Sequence, residues 1–170
     1  LIHQGPAEQL ALTENTQPVM LTAAIAIYRA WIVAGGPVPK ILAGHSLGEY
    51  SALVASGVIS FKDAVPLVRF RAEAMQSAVP VGTGGIAAIL GLEDTIVIEV
   101  CASASAQSGM IVEAVNFNAP GQIVIAGASE AVTKACELLK AAGAKRALPL
   151  PVSAPFHSSL LKPASEKLKT

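Results

Sequence analysis

The stretch GHSLGEYSAL, residues 44–53, constrains the fold of this chain more than any other. The apolar residues Ile41, Leu42 and Ala43 precede it and predict a short buried strand. Two glycines then bracket His45 and Ser46, and a helix-forming sequence follows at once. A strand, a tight turn and a helix are the context in which G-x-S-x-G forms an elbow with its serine thrust outward.

Ser46 would then stand at the N-terminus of the helix beginning at Leu47. The unpaired N–H groups there favour negative charge, and the Leu47 N–H points where an oxyanion would form. The competing reading is a Gly-rich turn whose serine only caps the helix. A nucleophilic serine needs a base, and His3, His45 and His157 are the histidines available. His45 adjoins Ser46, where neighbouring side chains diverge, and His3 lies in an irregular opening. His157 stands in Pro155-Phe156-His157-Ser158, a loop after a strand, where catalytic groups are commonly presented.

Helical geometry singles out one further residue. In the helix after Ser60, Ala64, Leu67, Val68, Ala72 and Met75 share an apolar face, and Arg71 falls in its middle. Arg69 and Glu73 lie towards the other side. A guanidinium stays charged when buried and demands a partner. A ligand carboxylate would supply one; so would a distant acid or a side chain that reaches solvent, and the spacing does not choose.

Along the rest of the chain, a first helix is expected from 13–18, capped by Asn15 or Thr16 with Pro18 in its first turn, running to Gly35 and Gly36. It is apolar nearly all round, which predicts burial on every side. Ser60 opens the Arg71 helix with Asp63 as a capping partner. Pro80, Gly82, Gly84 and Gly85 mark a hinge. Beyond it the pattern is strand 86–91, helix 93–106, strands 110–116 and 122–127, helix 130–142 and strand 146–151. That βαββαβ order is the ferredoxin-like arrangement. The expected division is therefore a larger α/β-hydrolase-like domain with a parallel-sheet core, residues 1–80 and 152–170, carrying a smaller domain inserted at 83–151.

Composition narrows the function. Of 170 residues 52% are hydrophobic and 14% charged, which predicts a large core rather than disorder. A net charge of zero speaks against non-specific nucleic-acid binding. No uninterrupted apolar run has the length of a membrane span, and no signal peptide is evident. Cys101 and Cys136 have no metal-ligand spacing, read as small core residues and suit a reducing cytoplasm. The charge is uneven: residues 134–170 hold seven Lys/Arg against Glu137 and Glu166, a candidate docking face for an acidic partner or simply a solvated surface. A chain opening on Leu1 and closing on a charged run is expected to be part of a longer polypeptide.

Taken in order, GHSLGEYSAL, Arg71, VNFNAPGQIVIAG and KRALPLPVSAPFHSSLLKPA resemble the malonyl-CoA:acyl carrier protein transacylases of bacterial fatty-acid synthesis, over nearly the whole chain. The resemblance implies that Ser46 is acylated, that His157 is the general base, that Arg71 grips the malonyl carboxylate and that the Leu47 N–H is one oxyanion donor. It also implies positions near the pocket for Gln17, Asn116 and Asn118, for which a helix start and a strand-end turn are the structural alternatives. Three features depart from the family. Its opening strand and Gly-Gln-Gly motif, whose glutamine is a second oxyanion donor, is not matched, nor is the closing segment that helps orient the histidine. Pro66 falls inside the Arg71 helix.

The implied reaction has two steps. Malonyl passes from malonyl-CoA to Ser46 and then to the phosphopantetheine thiol of acyl carrier protein, with no metal or redox cofactor and no nucleic-acid or membrane partner. Two alternatives stand beside it. A serine esterase or thioesterase of the α/β-hydrolase type would need a triad acid between Ser46 and His157, with Glu113 and Asp94 as candidates. An inactive carrier-binding fragment would take up no malonyl group.

Overall fold

The structure, a computed structural model, describes residues 1–152 and 154–169. They fall into two compact units, Leu1–Glu73 and Ala74–Thr170. The first holds helices α1 (Ala7–Ala11), α2 (Thr13–Val33), α3 (Leu47–Ala55) and most of α4 (Phe61–Gln76).

The first long helix begins earlier than its expected caps. Asn15 and Thr16 lie inside α2, where Asn15 Nδ2 donates to the Gln9 carbonyl at 2.8 Å and Thr16 Oγ1 to that of Leu12 at 3.0 Å. They tie the first turn of α2 back to α1 and the residue between. The helix stops at Val33, with Gly35 just beyond it at φ 83°. Burial on every side is not observed. Only Gln17, Leu21 and Ile25, one stripe at i, i+4 and i+8, are buried, whereas Ile27 and Val33 are exposed. Apolar content measures what a helix can bury, not how many neighbours it has. The length and composition of α2 would also suffice to cross a membrane, but its buried stripe packs in the core of the first unit. Leu21 and Ile25 meet Ala64 and Val68 of α4 there, with Leu47, Tyr50 and Val54 of α3 against them.

No strand forms at Ile41, Leu42 and Ala43, and no parallel ladder exists among the described residues. This corrects the expectation of a strand before the elbow and of a parallel-sheet core. Ile41 is 86% exposed. A strand exists only through the partner that completes its hydrogen bonds, and the one sheet among the described residues lies in the second unit. The start of α4 is as expected: the Asp63 N–H donates to Ser60 Oγ at 3.1 Å, and the Ser60 hydroxyl donates to the Asp63 carboxylate at 2.6 Å. Pro66 sits inside α4 without interrupting it.

The second unit follows the predicted pattern closely: β1 (Gly84–Leu90), α5 (Asp94–Ser108), β2 (Val112–Ala119), β3 (Gln122–Ala128), α6 (Ser129–Ala141) and β4 (Arg146–Pro149). The sheet order is β2-β3-β1-β4, with every neighbouring pair antiparallel. The two helices pack over one sheet face. Val97, Cys101 and Ala104 of α5, and Ala131, Ala135, Cys136 and Leu139 of α6, lie against Ala87, Ile89, Ile123 and Ile125. Leu139 is fully buried, so truncation to alanine would cost about 2–5 kcal/mol. The opposite face, with Ile86, Val124 and Ala126, receives Phe156. After β4 come a 3₁₀ turn, Ser159–Leu161, and α7 (Lys162–Lys167). Leu161 and Ala164 pack on Ala74, Met75 and Ala78, at and beyond the end of α4. Ser153 and Thr170, which belong to the expected return segment 152–170, lie outside the described residues.

Both cysteines are free and buried in the helix-side core. Burial above all, with smaller contributions from Cys136 and Glu113, pushes the Cys101 thiol up to about 12. Burial raises Cys136 as well. At pH 8 both should therefore stay protonated and unreactive. Iodoacetamide should label them at least roughly a hundredfold more slowly in the folded protein than in denaturant. Equal rates would mean that this core is open in solution.

Candidate active site

Ser46 stands immediately before α3 with φ 54° and ψ −113°, a conformation that L-residues rarely adopt. The sequence explains how the elbow tolerates it. A Cβ on Gly44 would fall on the Gly48 carbonyl and the Glu49 nitrogen, so only glycine fits there. A Cβ on Gly48 would meet nothing. Backbone bonds from Gly48 N to the His45 carbonyl at 2.8 Å and from Glu49 N to that of Ser46 at 3.2 Å close the turn. The Ser46 side chain makes no capping bond to α3, which removes the reading of a serine that merely caps. Leu47 is the first residue of α3, so its N–H belongs to the turn that lacks intrahelical partners.

The Ser46 hydroxyl accepts a hydrogen bond from the Arg71 guanidinium, Nη2 to Oγ, at 2.8 Å. The other terminal nitrogen, Nη1, donates to Gln17 Oε1 at 2.6 Å. The guanidinium carbon also lies over the Tyr50 ring, 5.6 Å from its centroid, within cation–π range. Helices α2 and α4 thus each contribute one group to a single cluster, and the start of α3 contributes two, Ser46 just before the helix and Tyr50 within it. Gln17 is held in turn by a bond from its Nε2 to Thr13 Oγ1 at 3.2 Å. Arg71 and Gln17 are buried, at 8% and 6% exposure. Both were named from the sequence, which gave no sign that they touch.

Electrostatically the cluster is a cation among neutral partners. The ion pairs among the described residues are Arg69–Glu73, Lys134–Glu137 and Lys169–Glu166, and none includes Arg71. Burial draws the Arg71 guanidinium below its ordinary value, opposed by Tyr50 and more weakly by Glu49. It remains charged at any physiological pH. Arg71 therefore lies on the apolar face of α4, beside Ala64, Val68 and Ala72, without a carboxylate. Tyr50 was missed in the sequence, although its position four residues after Ser46 on the same helix face was a usable signal.

The other candidates belong to the second unit. His157 is exposed at the tip of a turn, also with positive φ, 66°. Asn116 and Asn118 lie on β2, where the β2–β3 register shifts between Ala114 and Asn116 and again between Phe117 and Ala119. Asn118 is thus an extra residue in a bulge, a place where side chains are re-aimed. Of the two triad-acid candidates, Glu113 accepts the Ser159 N–H at 2.6 Å and Asp94 lies in the first turn of α5. His3 and His45 are exposed. No group of three or more metal-ligating side chains occurs among the described residues.

A family model describing an acyl transferase domain matches residues 1–170. The chain belongs to the acyl transferase domain family. Among similar proteins, the malonyl CoA-acyl carrier protein transacylase of Escherichia coli K12 is 58% identical over 99% of this chain, and that of Bacillus subtilis 53% identical over 99%. Among solved structures, the acyl-carrier-protein S-malonyltransferase of Burkholderia pseudomallei 1710b is 71% identical over 98% of the chain, with a TM-score of 0.94. A malonyl-transacylase in complex with a type II PKS acyl-carrier protein is 54% identical over 99%, also at 0.94. This acyl transferase domain spans about half the length of the relatives it matches, 54% of the first.

The two elbow glycines of the acyl transferase domain should respond differently to substitution. Gly44→Ala forces the turn open and should destabilise the protein by roughly 1–3 kcal/mol, as overpacking does. Gly48→Ala adds a helix-favouring methyl in open space and should be neutral or stabilising by up to about 1 kcal/mol. Thermal unfolding of both variants tests this; equal losses would mean that the elbow is not packed as described.

Proposed function

We propose that the protein carrying this chain transfers a malonyl group from malonyl-CoA to the phosphopantetheine thiol of acyl carrier protein, supplying fatty-acid synthesis. The observation that carries this reading is the buried Arg71 guanidinium, bonded to the Ser46 hydroxyl at 2.8 Å and in no ion pair among the described residues. The geometry also selects chain length. When Ser46 attacks a thioester carbonyl, a carboxylate one methylene away falls within reach of a cation already touching the serine oxygen. A longer diacid would have to fold back, and an acetyl group would leave the guanidinium unpaired.

In the first step His157 takes the Ser46 proton and Ser46 Oγ attacks the malonyl thioester carbonyl. The oxyanion forms against the Leu47 N–H. The tetrahedral intermediate expels coenzyme A as its thiol, protonated by His157. The malonyl-serine ester keeps its carboxylate on Arg71, with Gln17 fixing the second guanidinium nitrogen and Tyr50 lying beneath the cation. In the second step His157 deprotonates the phosphopantetheine thiol, whose sulfur attacks the ester, and Ser46 leaves with its proton restored. The chemistry needs no metal or redox cofactor. Asn116 and Asn118 are substrate-binding residues in this reading, and the enzyme works in the cytoplasm without nucleic-acid or membrane partners.

For the fold, we read the elbow and α2–α4 as part of an α/β-hydrolase-like domain comprising residues 1–80 and 152–170. The strand order β2-β3-β1-β4 supports the ferredoxin-like description of residues 83–151. A carrier protein rich in acidic residues would meet Lys140, Lys145 and Arg146 on the basic C-terminal third.

Two experiments on the whole protein test the reading. Arg71→Ala should lower kcat/KM for malonyl-CoA by about 2–5 kcal/mol of binding, roughly one and a half to three and a half decades, and leave acetyl-CoA little changed. Arg71→Lys should restore only part, since an ammonium cannot grip two oxygens in one plane. An unchanged malonyl-to-acetyl ratio would make Arg71 structural. Lys145→Glu should weaken transfer to carrier protein and its salt dependence while sparing acylation by malonyl-CoA. Equal loss in both half-reactions would exclude a docking role.

A further inference from the structure

The turn that presents His157 is anchored on both sides. Upstream, Ala154 and Pro155 are fully buried and the Phe156 ring packs on Ile86, Val124 and Ala126. Downstream, the buried Ser158 hydroxyl donates to the Pro155 carbonyl at 2.7 Å, and the Ser158 N–H reaches the same oxygen at 3.2 Å. His157 itself is exposed with φ 66°, a left-handed conformation that is unfavourable for a residue with a side chain. Such a turn relaxes unless its neighbours are fixed.

The next link comes from far away in sequence. The Ser159 N–H opens the 3₁₀ turn, where a helical donor has no partner within the element. It donates to the Glu113 carboxylate at 2.6 Å, across 46 residues. Glu113 pairs with Ala126 in the β2–β3 register, so both point to the sheet face on which Phe156 is seated. A charge-assisted bond of this length is stronger than a neutral one and more directional than apolar packing.

We propose that Glu113 is a positioning residue for His157: by holding the Ser159 N–H it locks the turn to the sheet face and fixes the direction in which the imidazole points. The inference rests on His157 as the general base. It gives Glu113 a task other than triad acid, since its carboxylate bonds to backbone two residues beyond the histidine.

The test is single-turnover acylation by malonyl-CoA in the whole protein. Glu113→Thr suits a strand but is too short to reach Ser159. It should slow acylation by roughly ten- to a hundredfold, the effect of a misplaced catalytic group, with the KM for malonyl-CoA within about twofold. Glu113→Gln, whose carbonyl still accepts the N–H, should stay within about threefold. In a His157→Ala background neither substitution should change the residual rate further, because residues that act through one group are not additive. If Glu113→Thr fails to fold, Glu113→Leu takes its place. A wild-type rate in Glu113→Thr, or equal slowing with and without His157, would overturn the proposal. An unchanged rate in His157→Ala alone would overturn the base assignment, and this inference with it.

Discussion

A buried guanidinium that has no ion pair among the described residues must be held by something, and in this chain the holding creates the site. Arg71 donates to the Gln17 side-chain oxygen at 2.6 Å and the Ser46 hydroxyl at 2.8 Å, with the Tyr50 ring beneath. Gln17 arrives on α2, and Ser46 and Tyr50 at the start of α3, so the packing of Leu21, Ile25, Ala64 and Val68 is also what aligns the cation with the serine. Neutral partners satisfy the hydrogen bonds of a guanidinium without cancelling its charge. The cluster is therefore complete as structure and open as electrostatics. An incoming anion can replace the serine contact and keep the one to Gln17.

Backbone geometry carries the rest. Ser46 and His157 are the two non-glycine residues with positive φ among the described residues, and strain of this kind concentrates at functional positions because surrounding structure must maintain it. At Ser46 the maintenance is steric, through the absence of a side chain on Gly44. At His157 it is built from a buried serine, a seated phenylalanine and the Glu113 carboxylate. Each device sits within its own unit, close in structure to the residue it serves.

Much of this was legible in the chain, and the exceptions share a cause. The Ser60–Asp63 cap, the βαββαβ order and the place of Arg71 on an apolar face all follow from interactions within a few residues, which spacing encodes. Arg69 and Glu73 lie on the solvent side as expected, and pair there at 3.0 Å. The strand at Ile41, Leu42 and Ala43 failed because a strand depends on a partner, not on its own residues. The burial expected all round α2 failed because an apolar surface does not say what will cover it. The contacts of Arg71 with Gln17 and Ser46, and of Glu113 with Ser159, join residues 25 to 54 positions apart. No periodicity records such distances. Gln17, Ser46, Arg71 and Glu113 could be named individually; their meetings, and the part of Ser159, could not.

The central claim is that Ser46, held beside a cation without a carboxylate, is the atom that accepts malonyl. Intact mass followed by peptide mapping of the whole protein, quenched in acid after incubation with malonyl-CoA alone, tests it most directly. The account predicts one added malonyl group, located on the peptide containing Ser46 and persisting until a carrier thiol is supplied. A malonyl group on another residue, or release of free malonate with no acylated Ser46, would contradict it.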